Sequence, residues 1–196
     1  MAFTDFKSIA QVQTEYHIKY QEKDFIDYLD SIIPSDFFRE EFEFNQEYID
    51  VFTSEASRCE NVIYPIIREV YKHFADKYTI WSHKSIKYDD KLTGTPDYMI
   101  STRSELGKTV LGLPILAVVE EKKNNFTEGW AQCLAELLAI QKINENEDFF
   151  VYGIVTDGEL WQFGRLQLNI FTKHKARIAI TDLNRVFGAI GYLLNQ

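Results

Sequence analysis

The chain has 196 residues, 45% of them apolar and 15% aromatic, with only 9 Gly and 4 Pro. That composition describes one compact domain with a substantial core and excludes a disordered or collagen-like chain. The formal charge of −9 is concentrated at one end: residues 1–50 hold twelve acids against four bases, a net of −8, which leaves −1 for the remainder.

In chain order, Phe6, Ile9 and Val12 and then Phe37, Phe38, Phe42, Tyr48, Ile49 and Phe52 recur at helical intervals around a break at Pro34-Ser35-Asp36. Thr53 or Ser54 is placed to cap the next helix, where Val62, Ile63, Ile66, Ile67, Val70 and Phe74 form an apolar stripe and Pro65 predicts a kink. The periodicity then changes. Strands are predicted over 79–88 and 95–102, separated by turn residues Asp89, Asp90 and Gly94, and a third over 115–122 follows a loop containing Gly107, Gly112 and Pro114. Residues 128–144 read as a helix with Trp130, Cys133, Leu134, Leu137 and Leu138 on one side. Strands over 149–156 and 160–165 flank an Asp157-Gly158 hairpin turn, 170–180 predicts a further strand around a basic tip, and Thr181-Asp182 caps a last helix over 183–194. The order gives an α/β (α+β) domain over residues 53–196, with a mixed central sheet flanked by helices and an acidic helical extension, residues 1–52, packed on it.

No window approaches the roughly 18 apolar residues of a membrane span, and the start of the chain lacks a signal-peptide pattern, so the expectation is a cytoplasmic protein without a membrane partner. Two cysteines, Cys59 and Cys133, supply neither a disulfide framework nor a cysteine-based zinc site. The negative charge argues against phosphate-backbone binding, but its confinement to the first 50 residues weakens that objection. Lys84, Lys87, Lys91, Arg103, Lys108 and Lys123 are available for phosphates, although six bases over this span are equally ordinary as solvated charges.

The chemistry concentrates in Pro96-Asp97 and in Val118-Val119-Glu120-Glu121-Lys122-Lys123. Residues two apart on a strand share a face, so Glu120 and Lys122 project together, and a neighbouring strand can bring Asp97 to them. A buried charged cluster is expensive unless a metal or mutual pairing compensates it. Hard oxygen donors suit Mg²⁺ or Mn²⁺, and a lysine beside them orients or deprotonates a water. The plainer reading is a Pro-Asp turn and a solvated Glu-x-Lys ion pair. Glu121 with Lys123 has the same spacing on the opposite face, and the apolar run before it fits either register.

In these residues the chain resembles the PD-(D/E)-x-K nuclease superfamily, the restriction-endonuclease-like fold. The motif stands as Pro96-Asp97 followed by Glu120-Glu121-Lys122, between a helix bearing acids and a helix bearing Gln132. Ser54-Glu55-Ala56-Ser57-Arg58 with Val62-Ile63-Tyr64-Pro65 is similar to the start of the nuclease domain of type I restriction subunits, and the resemblance covers residues 53–165. It implies Asp97 and Glu120 as metal ligands, the backbone carbonyl of Glu121 as a third, Lys122 serving the attacking water, and Gln132 holding a phosphate or water. Family usage, with the acid directly after the apolar run, favours Glu120 over Glu121 and leaves the other pair near an exposed strand end, where charge costs little. A helix acid completes such sites. Glu55 and Glu60 both qualify, and the Ser-Glu-Ala match favours Glu55. The implied function is a Mg²⁺- or Mn²⁺-dependent nuclease acting on nucleic acid, DNA being expected, as a homodimer or with a partner protein. The alternative is a catalytically inactive module of the same fold that binds nucleic acid or protein.

Overall fold

Strands that are apolar on both faces need cover on both faces. The computed structural model, which describes residues 2–123 and 125–196, supplies it. Among the described residues eight strands form one mixed sheet, in the order β1 (Lys19–Glu22), β9 (Ile170–Lys173), β8 (Leu160–Gln167), β7 (Val151–Thr156), β6 (Leu111–Glu121), β5 (Tyr98–Arg103) and β2 (Tyr78–Ser82), with β10 (Ile178–Ala179) also paired to β8. The pairs β6/β7 and β1/β9 are parallel and the others antiparallel. A separate ribbon joins β3 (Ile86–Lys87) and β4 (Thr93–Gly94).

One face is covered by α3 (Glu55–Arg58), α4 (Tyr64–Tyr71) and α6 (Leu183–Leu194), with Ile66, Val70, Phe187 and Ile190 in one buried cluster with Ile100, Val119, Ile154 and Phe163, and α2 (Asp36–Tyr48) lies in the same layer with its Phe38 against Phe187. The other is covered by α1 (Ile9–Tyr16) and α5 (Phe126–Ile143), where Val12, Trp130, Leu134 and Leu138 meet Met99, Val118, Val155 and Phe171. The fold is therefore an α/β arrangement of a mixed sheet between helical layers. No helix among the described residues is long and apolar enough to cross a membrane.

The strand expected over 79–88 is split between β2 and β3, that over 170–180 is split between β9 and β10, and three further features depart from the sequence expectation. The first 52 residues are not only helical: β1 pairs with β9 at the sheet edge, and Phe3, Phe6, Val12 and Ile18 are buried in the α5-side core. Lys19-Tyr20-Gln21-Glu22 shows no apolar alternation because both its faces are largely solvated, as edge strands tolerate. Strand β6 begins at Leu111 and includes Gly112 and Pro114, expected in a loop. Proline is tolerated there because the β5/β6 register shifts between Ser101↔Ile115 and Arg103↔Leu111. The helix stripe, capped by Ser54, passes through a π-helical turn at Cys59–Ile63 before α4. Pro65 lacks an N–H and crowds the carbonyl four residues earlier, and a widened turn relieves both conflicts.

Candidate active site

Alternation on β6 decides the register that the sequence left open. Val118 enters the α5-side core and Val119 the opposite one, so Glu120 points toward α5 and Glu121 away from it. Tyr98 pairs with Val119, which sets Asp97, just before β5, across from Glu120. The Glu121 backbone N–H donates to Asp97 Oδ2 at 2.7 Å, and the Asp97 N–H makes a long contact of 3.4 Å to Glu120 Oε1. Lys122 Nζ lies 3.9 Å from Glu120 Oε2. On α5, Gln132 Nε2 donates to Glu120 Oε2 at 2.6 Å and to Glu136 Oε1 at 3.2 Å. Gly129 makes this approach possible: a Cβ there would lie 2.8 Å from Lys122 Cγ and 2.7 Å from Val155 Cγ1, so any larger residue would push α5 off the end of β6.

The cluster is short of positive charge. Burial pushes the Glu120 carboxyl well above the usual range, reinforced by Glu136 and Asp97 and opposed by Lys122. Glu136 is raised by burial, with Asp97 adding to it while contacts from Glu120 and Gln132 oppose it. Asp97 is raised by burial, with the Glu121 N–H and Lys122 pulling the other way and Glu55 adding to the rise. Glu136 was not among the residues read from sequence. Its signal was a lone acid inside the run Cys133 to Leu138, one helical turn after Gln132.

Glu121 differs from expectation in one respect. Its side chain is not at an exposed strand end but 1% exposed, and Arg58, whose side chain is 3% exposed, donates to it from Nε at 2.5 Å. Burial raises Glu121 while Arg58 opposes it. An arginine stays charged at every accessible pH, so ionised Glu121 is what keeps this pair neutral. Lys123, by contrast, is exposed. Of the two helix acids, both exposed, Glu55 is the one whose charge acts on Asp97 and Glu121. A cleft of about 510 Å³ lined by Glu55, Glu60, His83 and Tyr98 opens beside them. His83 donates its backbone N–H to the Asp97 carbonyl at 2.9 Å and places Nδ1 3.8 Å from Asp97 Oδ1. Asp89 holds the Lys91 and Leu92 N–H groups, as a turn residue does.

Among the described residues no three His, Cys, Asp or Glu side chains are arranged to hold a metal ion. The donor set nonetheless fits a hard cation that keeps most of its waters, because Asp97, Glu120 and the Glu121 carbonyl are all oxygen donors. Glu136 Oε2 is buried without a hydrogen-bond partner among the described residues, so the cluster needs a shared proton or a cation for balance.

No family model and no curated protein matches the chain. Among solved structures it is similar to the type IIG restriction endonuclease BpuSI, at 15% identity and a TM-score of 0.47. That alignment covers 67% of this chain and spans 15% of the length of the other.

Proposed function

We propose that this chain is a divalent-metal-dependent nuclease that hydrolyses nucleic-acid phosphodiester bonds, with DNA as the expected substrate. The observation that carries the reading is the convergence of Asp97, Glu120, Lys122 and Gln132 where β5, β6 and α5 meet. Asp97, Glu120 and the Glu121 carbonyl would hold Mg²⁺ or Mn²⁺. When bound, the ion supplies Lewis-acid stabilisation of phosphate charge and lowers the pKa of water.

The side chains divide the remaining work. Gln132 fixes the Glu120 carboxylate and Gly129 leaves room for the Lys122 stem. Lys122, its side chain 29% exposed, reaches from the acids toward solvent, where its ammonium can orient the attacking water and face the scissile phosphate. Glu55 stands at the cleft as the helix acid.

The test is cleavage of plasmid and oligonucleotide with Mg²⁺ or Mn²⁺. Activity should vanish in EDTA and fall by roughly 10²–10⁴-fold in Lys122→Ala and Asp97→Ala while circular dichroism shows the fold intact. Undiminished activity in both variants would overturn the assignment, and a wild type inert on DNA and RNA would favour the binding module of the same fold.

A further inference from the structure

On the face that carries α5, a cavity of about 450 Å³ opens beside the first turn of that helix, within the volume range of small-ligand pockets, roughly 300–1,000 Å³. Its wall includes Tyr20 of β1 and Phe126 of α5, and its floor includes Gln162 and Trp130. Gln162 is 1% exposed, and its Oε1 accepts the Trp130 indole N–H at 2.9 Å. Indole is a donor only, which fixes the amide's orientation and leaves its NH₂ with no hydrogen bond among the described residues. That NH₂, on a side chain lining the cavity and without a protein acceptor among the described residues, is free to serve an acceptor that enters it.

The rim is cationic. Lys173, the last residue of β9, and Arg177, from the segment that follows it, both line the cavity, and neither makes an ion pair among the described residues. Lys173 Nζ sits 5.3 Å from the centre of the Trp130 ring, and Glu22, the acid whose charge reaches it, accepts from the Tyr20 hydroxyl. Burial and the neighbouring Arg177 both push the Lys173 ammonium below the usual lysine range, a penalty that a bound anion would reverse.

Aromatic wall, paired cations and a spare amide donor together suit a planar, acceptor-rich, anionic ligand. We propose that the cavity binds a nucleoside phosphate, its base against Tyr20 and Phe126, a base acceptor on Gln162 and its phosphate at Lys173 and Arg177. Free nucleotides and a nucleic-acid strand share this chemistry. The strand version rests on the nuclease reading, since Gly129 and Trp130 are consecutive on α5 and Gly129 touches Lys122. A strand seated here would pass close to the candidate active site.

The experiment uses the whole chain in EDTA at low salt, so that binding is read without cleavage. Fluorescence anisotropy follows a labelled short oligothymidylate, with 5′-dTMP as competitor. Arg177→Glu and Tyr20→Ala should each weaken binding roughly tenfold, with Arg177→Glu also flattening the salt dependence. Competition by dTMP assigns the cavity to single nucleotides, and strand binding without competition assigns it to a strand. Oligothymidylate affinity and salt slope unchanged in both variants, or no binding of either probe by folded wild type, would overturn the inference. Binding that is lost in the variants while the wild type cleaves nothing with Mg²⁺ would keep the cavity and sink the nuclease reading. Cleavage with an unaltered KM in both variants would do the reverse.

Discussion

Arg58 and Glu121 show how the candidate site separates two adjacent acids. Glu120 is left among other carboxylates, while Glu121, one residue on, is neutralised by a buried guanidinium at 2.5 Å. Removing one partner of such a pair strands the other charge, at about 3–5 kcal/mol, whereas replacing both with apolar side chains is often neutral. Arg58→Leu should therefore lower unfolding stability by that amount in urea titrations, and Arg58→Met combined with Glu121→Leu should recover most of it. A loss below about 1 kcal/mol in Arg58→Leu would show that the pair does not hold the site together. The same double variant tests register: calorimetry with Mn²⁺ should find its affinity near wild type, because only the Glu121 carbonyl is a proposed ligand, while Glu120→Gln binds weakly. The pair was not legible beforehand. Arg58 stood in the quoted Ser54 to Arg58 stretch, but nothing in one sequence says that α3 lies over the far face of β6.

At the scale of elements, the segment between β1 and α2 is clipped to the sheet by one buried histidine. His174, 4% exposed, accepts the Phe25 N–H on Nδ1 at 3.2 Å, which leaves Nε2 as the protonated nitrogen facing the Tyr28 hydroxyl at 3.0 Å. Burial holds its pKa below the usual 6.5, with Arg185 assisting and Asp24, 3.9 Å away, opposing. With the folded value lower than the unfolded one, the contribution is complete above about pH 6.5 and is lost as pH falls through the folded value. Hydrogen exchange should show the Phe25 amide losing protection between pH 7.5 and pH 5 relative to core amides of β7, and His174→Phe should abolish that pH dependence. Constant Phe25 protection would contradict it. Elements with a cap and a stripe were readable: α6 spans Leu183–Leu194 as expected, with Asp182 accepting the Arg185 N–H, and α5 starts two residues early. Strand β1 was not readable, because a solvated edge strand carries no burial pattern and its pairing with β9 spans 151 residues between Gln21 and Thr172.

For the whole molecule, the decisive quantity is where the charge of −9 lies. Residues 1–52 cannot be removed as a unit, because that stretch supplies β1 and the buried Phe3, Phe6, Val12 and Ile18. Truncation would strip the sheet edge and open the α5-side core, so it cannot serve as a charge experiment. The acids themselves are separable. Glu40, Glu43 and Glu47 are exposed on α2, on the helical layer opposite α5 and the Lys173–Arg177 cavity. Their repulsion of a polyanion acts through solvent over a screening length of about 10 Å at 0.1 M salt. Converting all three to Gln should leave thermal unfolding nearly unchanged and strengthen oligonucleotide binding about two- to fivefold at low salt, converging with wild type as salt rises. Arg177→Glu should act in the opposite sense, weakening binding and flattening the slope of affinity against salt, since it removes a phosphate contact rather than a distant field. If neutralising α2 changed that slope as Arg177→Glu does, nucleic acid would be touching the acidic layer, and the assignment of the two faces would have to be exchanged.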